Sequence, residues 1–408
     1  MPIIFPKSAL VFLFSPIFSI FFVLKDIYEN KISGYILFAL LFSILSYFYI
    51  PSINGDKSYY FNLYNYFSSI SFLEGIVYIR TNMSDITLYY LILIFSHLGL
   101  SFSTLSGLMS GTGMGVLFFI FRKSVIEFNL SKFMILFLFI TLICSLNLPS
   151  FLSGVRYYFA IPFIIYGFYL SLVENKSITG LICLLFASSI HFTGFIFTLA
   201  TLIYILFKRN ASLLKAAYLF SFLFLLIPPI AFVSNVVDFI PYIDIDLFYI
   251  EKYLAYVGEE FEVSNAGHAI YLFVGSLWYF LINLYALLNI NRSNNKWTPI
   301  LLISLIFANI TFAFPDVLVR FGYVTTVIFI FVLIHDYKTY KYNYFFAVSY
   351  LIISLMTTSL DVLILRDTFK ESYMKIGMLT LPSMILTDPI DNKEFDKGNI
   401  CASAACPK

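Results

Sequence analysis

Charge is what this sequence has least of. Asp, Glu, Lys and Arg make up 12% of its 408 residues, while 60% are hydrophobic. Soluble proteins carry about 25% charged residues. A chain this long could not cover a water-facing surface with half that share, so a soluble globule is excluded. Net charge is only +2, which excludes the strongly basic surface that nucleic-acid binding requires. Cysteine is also scarce, with four in the chain. Cys144 and Cys183 fall in apolar runs and read as small packing residues. Cys401 and Cys406 lie in the terminal tail and could pair if it is extracytoplasmic. No His or carboxylate stands near them at ligand spacing, so no metal site is read there. There is no phosphate-cradling Gly loop, no G-x-S-x-G elbow and no H-E-x-x-H, and no cofactor is implied. The first apolar run lacks a small-residue cleavage site and reads as a retained span. No internal repeat is visible.

What is present is a succession of apolar runs. They are roughly 16 to 22 residues long, the length that crosses a ~30 Å hydrocarbon core as a helix. Backbone groups in lipid must be satisfied within the segment, so the runs read as helices. The expectation is an all-α integral membrane protein of about 12 transmembrane helices. Spans are placed at 8–24, 34–50, 102–121, 132–150, 156–173, 178–190, 192–207, 213–234, 269–289, 298–314, 320–335 and 343–360. Residues 1–360 form the membrane domain. A polar tail follows over 361–408, with a helix near 361–380 and disorder after Pro389. The stretch 86–100, capped by Ser84 and Asp85, reads as an interfacial or re-entrant helix, with a full span as the alternative. Gly107, Gly111, Gly113 and Gly115 suit close helix packing.

Orientation follows from Lys and Arg in short loops. Arg122, Lys123 and Lys132 share one loop; Lys208, Arg209 and Lys215 another; Arg292 with Lys296, and Lys338 with Lys341, form two more. Placing all four in the cytoplasm leaves 51–85 and the acidic segment 235–268 outside. The run 178–207 has Glu174 and Lys176 before it and Lys208 and Arg209 after it, so both flanks are cytoplasmic. It therefore reads as a hairpin turning near Ser188–His191, rather than one long tilted helix.

Lone polar groups at the outer ends of such spans need a partner or a cavity. Asp56 follows the second span; it is either a carboxylate at a cavity mouth, serving as a base or an orienter of an Arg, or a helix N-cap. Arg156 opens a span and presents a fork that matches phosphate, with simple anchoring as the alternative. His191 sits in the hairpin turn, as a proton-transfer group or a helix–helix hydrogen bonder. Arg320 opens a late span, as a second phosphate ligand or as the partner of Asp316. Asp244-Ile245-Asp246 matches a metal-binding Asp-x-Asp pattern but sits in a broadly acidic loop.

At these residues the chain resembles the EpsG/Wzy-type polysaccharide polymerases, bacterial proteins that join lipid-linked sugar repeat units at the outer face of the inner membrane. Gly55-Asp56 followed by Tyr59, Tyr60 and Tyr64 is similar to the family's G-x-D-Y-x-x-Y region. Ser153-Gly154-Val155-Arg156-Tyr157 is similar to its Arg-containing motif, with Tyr in place of the common Gln. Ala187 to Gly194 is similar to its A-x-x-x-H-x-[ST]-[AG] hairpin, and Arg320-Phe321 opens a late span. The Arg often found shortly before the first loop's Gly is missing; Tyr49, Ile50 and Pro51 stand there. The resemblance covers residues about 35 to 335. It implies a fold similar to the membrane-helical (GT-C-like) glycosyltransferases with polyprenyl-linked donors. It implies a metal-independent polymerase in the bacterial inner membrane. Arg156, Arg320, Tyr157 and Tyr60 would bind substrate, and His191 or Asp56 would act as base. Implied partners are an undecaprenyl-pyrophosphate-linked oligosaccharide, membrane lipid and a chain-length regulator. A lipid-linked oligosaccharide flippase, an O-antigen ligase and a membrane acyltransferase are the alternatives.

Overall fold

The computed structural model describes residues 6–49, 56–82, 85–153, 155–226, 266–291, 295–312, 315–337, 343–364 and 380–386. Among the described residues every regular element is a helix. Three helices are long and apolar enough to cross a membrane, Phe102–Glu127, Val317–Asp336 and Asn343–Leu363, and nine shorter ones are apolar. The acidic segment 235–268 lies almost wholly outside the described residues. So do Cys401, Cys406 and the tail beyond residue 386. The chain divides into two compact units, Met1–Ile205 with Thr358–Lys408, and Leu206–Thr357.

In the first unit, the run read as one span at 8–24 is two helices, α1 (Lys7–Phe14) and α2 (Ile20–Tyr28). Pro16 lies in the break between them. Its ring cannot continue a helix and supplies no N–H, and its freed carbonyl accepts from the Ser19 hydroxyl at 2.6 Å. α3 (Ile32–Phe48) follows. The segment 51–85, expected outside the membrane from its charges, holds α4 (Asp56–Ser69) and α5 (Phe72–Asn82), and α6 (Ile86–His97) comes next. α7 (Phe102–Glu127) is started by Ser101, whose hydroxyl accepts the Thr104 N–H. α8 (Lys132–Ser145) has the same device in Ser131. The run 132–150 thus ends early, and a short α9 (Leu148–Ser153) precedes α10 (Tyr157–Phe168). α10 runs into a π turn, Tyr169–Val173. α11 (Ser177–Ile190) and α12 (Phe192–Leu206) complete the main body.

Glycines set the closest approaches. A Cβ on Gly107 would lie 2.9 Å from the Ser43 carbonyl, and one on Gly111 2.7 Å from the Ser43 Cβ. These two, one turn apart, let α7 lie on α3, and Gly113 on the other face of α7 meets Pro162 of α10. α10 and α11 meet even more closely. A Cβ on Gly180 would sit 2.5 Å from the Ser171 amide nitrogen, and one on Gly167 3.0 Å from the Gly180 carbonyl. Between α3, α7 and α8, Phe38, Phe118 and Phe139 form a buried cluster with ring centroids 5.1–5.8 Å apart.

The run 178–207 is the hairpin the charge pattern requires. Tyr157 stands against His191, 4.9 Å between ring centroids, and Phe168 against Phe197, 5.3 Å. α12 therefore runs in the same sense as α10, back from the turn. At the opposite end of this group, Lys123 pairs with Glu174 at 2.7 Å. The loop holding Lys123 and the flank holding Glu174 thus share one end of the first unit.

In the second unit, α13 (Ala211–Ser221) leads into a 3-10 turn, Phe222–Leu226. α14 (Ala266–Asn289), α15 (Thr298–Ile310), α16 (Pro315–Asp336) and the greater part of α17 (Asn343–Ile364) follow. Buried polar side chains satisfy one another here, as they must away from water. Asn309 donates to Ser221 at 2.7 Å and accepts from Tyr279 at 2.7 Å, and Tyr218 donates to Asn283 at 2.9 Å. The end of α17 belongs with the first unit: Thr358 donates to the Cys144 carbonyl and Asp361 accepts from Asn147. Of the stretch 361–380 read as a helix, 361–364 are the end of α17, and 365–379 lie outside the described residues. A short α18 (Leu381–Leu386) is the last element.

Candidate functional site

Arg156 stands between α9 and α10 with φ 52° and ψ −109°. An L side chain rarely adopts this conformation, which costs of order 1–3 kcal/mol and persists only where the surroundings enforce it. One enforcing contact comes from α6. The Arg156 Nε donates to the Asp85 carboxylate at 2.6 Å; Asp85 is 2% exposed and the arginine side chain 25%. Asp85 takes the N-cap position of α6, yet its side chain caps nothing there. The sequence reading of Asp85 as a cap is corrected: its carboxylate is spent on the arginine. An orienter for an Arg was sought in Asp56; Asp85 fills that role. Asp56 opens α4, and its side chain lies outside the described residues.

α9 holds the chain just before Arg156. Ser106 and Ser110, one turn apart on α7, donate to the Ser153 and Phe151 carbonyls at 2.9 and 3.0 Å. Asn147 accepts the Ser150 N–H at 3.0 Å and donates to Asp361 at 3.1 Å. Capping of this kind compensates a helix too short to be stable alone.

His191 is the whole of the turn between α11 and α12, in extended conformation, and it is buried. Its Nδ1 accepts the Thr193 N–H at 3.1 Å. That bond makes it the cap of α12 and places the proton of the neutral ring on Nε2. Gly194 is required beside it, because a Cβ there would lie 2.6 Å from the Ser188 amide nitrogen. The hydroxyls of Ser189 and Thr87 meet at 2.7 Å, tying the end of α11 to the start of α6. Asp85, Arg156, Tyr157 and His191 are thus brought to one end of the first unit. Tyr60 is buried nearby on α4, 5.9 Å from the Tyr89 ring of α6.

Arg320 lies in the second turn of α16, which begins at Pro315, in the second unit, and is partly buried. Phe321 stacks on Phe307 at 5.3 Å, and Gly322 faces the Trp278 ring, which a Cβ would meet at 2.5 Å. Asp244 and Asp246 lie outside the described residues. Among the described residues no three His, Cys, Asp or Glu side chains gather as a metal would need.

Lys57 escaped the sequence reading. It is 1% exposed, and its Nζ donates to the Ser46 carbonyl at 2.7 Å and the Tyr49 carbonyl at 3.0 Å, with the Tyr49 ring 5.6 Å away. It caps the C-terminal end of α3, where carbonyls lack helical partners. Burial pushes its amine down to about 7. A signal was available: Lys57, Tyr60, Leu63 and Phe67 recur at helical spacing, and all four are buried.

The EpsG family model matches residues 54–374. That stretch holds every residue of this site, Lys57 and Asp85 included. No curated protein and no solved structure matches the chain.

Proposed function

This chain belongs to the EpsG family, and from that premise we infer that it polymerises undecaprenyl-pyrophosphate-linked oligosaccharide repeat units at the outer face of the inner membrane. The observation that carries this reading is Arg156, held in a strained backbone by a buried carboxylate beside Tyr157 and His191. In the reaction, the bond between sugar C1 and a pyrophosphate oxygen breaks. A hydroxyl of a second repeat unit forms the new C1–O bond and gives its proton to a base. The leaving pyrophosphate takes the bonding electrons as negative charge. A guanidinium fixed in advance stabilises that charge without reorganising. Arg156 has this role, with Arg320 as the second cation.

His191 fits a different part from the one its residue type first suggests. With Nδ1 accepting from Thr193, the neutral ring carries its proton on Nε2 and donates. Donation to an oxygen of the substrate suits it better than proton removal. Of the two groups named as base, Asp56 is then the better choice. Tyr157 and Tyr60 line the sugar path. A membrane of about a dozen spans holds the lipid tail, and a chain-length regulator acts as partner.

The test is polymerisation of lipid-linked repeat units by the purified protein. Laddered products that persist in chelator support the reading. Loss in chelator with rescue by a divalent ion moves the chemistry to Asp244 and Asp246. A deletion strain separates the alternatives: single-repeat caps at the surface indicate a polymerase, whereas loss of all exposed repeat indicates a flippase or a ligase.

A further inference from the structure

We propose that Lys57 is a positioning residue for Arg156, anchoring a one-way chain of buried hydrogen bonds that ends on the carbonyl of Ser153. Lys57 Nζ donates to the Ser46 and Tyr49 carbonyls. The Ser46 hydroxyl lies 2.9 Å from the Ser106 hydroxyl and 3.1 Å from the Ser106 carbonyl. The Ser106 hydroxyl donates to the Ser153 carbonyl at 2.9 Å. A serine has one proton to give. Ser106 gives its own to Ser153, so Ser46 donates to Ser106 and the order of the chain is fixed. Ser46 and Ser106 are fully buried, where no water replaces a lost partner.

The chain closes into a ring. Ser153 ends α9, and Arg156 follows within three residues. Arg156 binds Asp85 at the head of α6, and Tyr89, one turn on, packs against Tyr60. Tyr60 lies one turn beyond Lys57 on α4. Arg156 is therefore gripped on its backbone side through α3, α7 and α9, and on its side-chain side through α6, and both grips return to α4. A residue in a backbone conformation that costs energy needs such holding from more than one direction. Lys57 is the first donor of the chain, and its two buried bonds to carbonyls have no water to replace them.

The reading of Arg156 as a pyrophosphate ligand gives this positioning its purpose, but its test is independent of catalysis. Amide exchange over residues 148–157 is measured by mass spectrometry on the full chain in lipid nanodiscs, for wild type, Lys57→Met, Ser106→Ala, the double variant and Lys57→Arg. Expected are about fivefold faster exchange in each of the first two single variants, no further acceleration in the double variant, and recovery in Lys57→Arg. Ser106→Ala removes one hydroxyl and keeps the test valid if Lys57→Met does not fold. Unchanged exchange over 148–157 in Ser106→Ala, or effects of the two substitutions that multiply as independent ones do, overturns the proposal. Polymerisation by the same samples addresses Arg156 itself: faster exchange with wild-type polymerisation removes arginine from the chemistry and leaves the positioning standing.

Discussion

Arg156 and Asp85, 71 positions apart in sequence, are joined at 2.6 Å through a guanidinium Nε and a carboxylate almost wholly withdrawn from solvent. Removing one member of such a pair strands the other charge, at a typical cost of about 3–5 kcal/mol when both are buried. Arg156 is a quarter exposed, which lowers the figure. Asp85→Ala should destabilise the protein by about 2 kcal/mol and reduce polymerisation as the guanidinium loses its direction. Thermal unfolding in detergent and the rate on lipid-linked substrate check both. An unchanged midpoint would mean that the pair contributes nothing to the fold.

Arg156→Lys keeps the charge and loses the fork. Two parallel donors match a phosphate and an ammonium does not. Folding and membrane insertion should stay intact while polymerisation falls about 10-fold or more, on the order of 1.4 kcal/mol of transition-state stabilisation. A wild-type rate in this variant would discard the arginine mechanism.

His191 caps α12, and the proposed contact of its ring with substrate can be separated from that cap. Asn can accept the Thr193 N–H as the imidazole does, so His191→Asn should keep the cap and its stability. Ala cannot, and His191→Ala should lose about 1 kcal/mol. Both should slow polymerisation if the ring contacts substrate. Full activity in His191→Asn assigns the residue to capping alone.

Lys57 makes stability depend on pH. Its amine titrates near 10.5 in the unfolded chain and is pushed down to about 7 in the folded one. Between those values the unfolded state binds a proton that the folded state does not. Stability should therefore rise as pH climbs from about 7 towards 10.5, and the gain should be absent below 7. Lys57→Met should flatten the slope. Denaturation midpoints across pH 6.5 to 9.5 in about half-unit steps decide it, and identical slopes for the two proteins refute the assignment.

Gly180 leaves no room for a side chain. Its missing Cβ would lie 2.5 Å from the Ser171 backbone nitrogen, and backbone cannot step aside as a flexible side chain can. Gly180→Ala should destabilise by about 1–3 kcal/mol through overpacking. Gly115→Ala is the control, since its nearest neighbour would lie at an ordinary 3.9 Å and no loss is expected. Thermal midpoints of the two variants, compared side by side, check the contrast.

Much of this was legible in the sequence because membranes restrict what a chain can do. The hairpin at His191 followed from charge on both flanks of an apolar run. Of the α7 glycines read as close packing, Gly107, Gly111 and Gly113 are so, whereas Gly115 has nothing nearer than 3.9 Å. Arg156 and His191 drew attention as lone polar groups. Asp85 was misjudged because local grammar, an acidic residue before an apolar run, has an ordinary meaning that the tertiary contact overrides. Lys57 was passed over because a lysine beside an aspartate in an external segment looks solvated; only the buried face of α4 shows otherwise. The break at Pro16 was missed because hydropathy does not register the loss of an N–H. The approach of α9 to α7 depends on serine–carbonyl bonds, which leave no mark on periodicity.

The π turn at Tyr169–Val173 bears on how the hairpin arms match. α10 has 12 residues and α11 has 14, rises of about 18 and 21 Å. The five residues of the turn extend α10 past the length of α11, and the chain that leaves from Arg156 returns to the same end at His191, which stands against Tyr157. The turn acts as a shim whose thickness sets which residues meet. Deleting one residue from it would return it to α-helical winding and move Ser171 off Gly180, whose missing Cβ would lie 2.5 Å from the Ser171 amide nitrogen. Length changes in this family should accordingly avoid these five residues and the Glu174 that follows them, which is tied to Lys123 at 2.7 Å and to Tyr169.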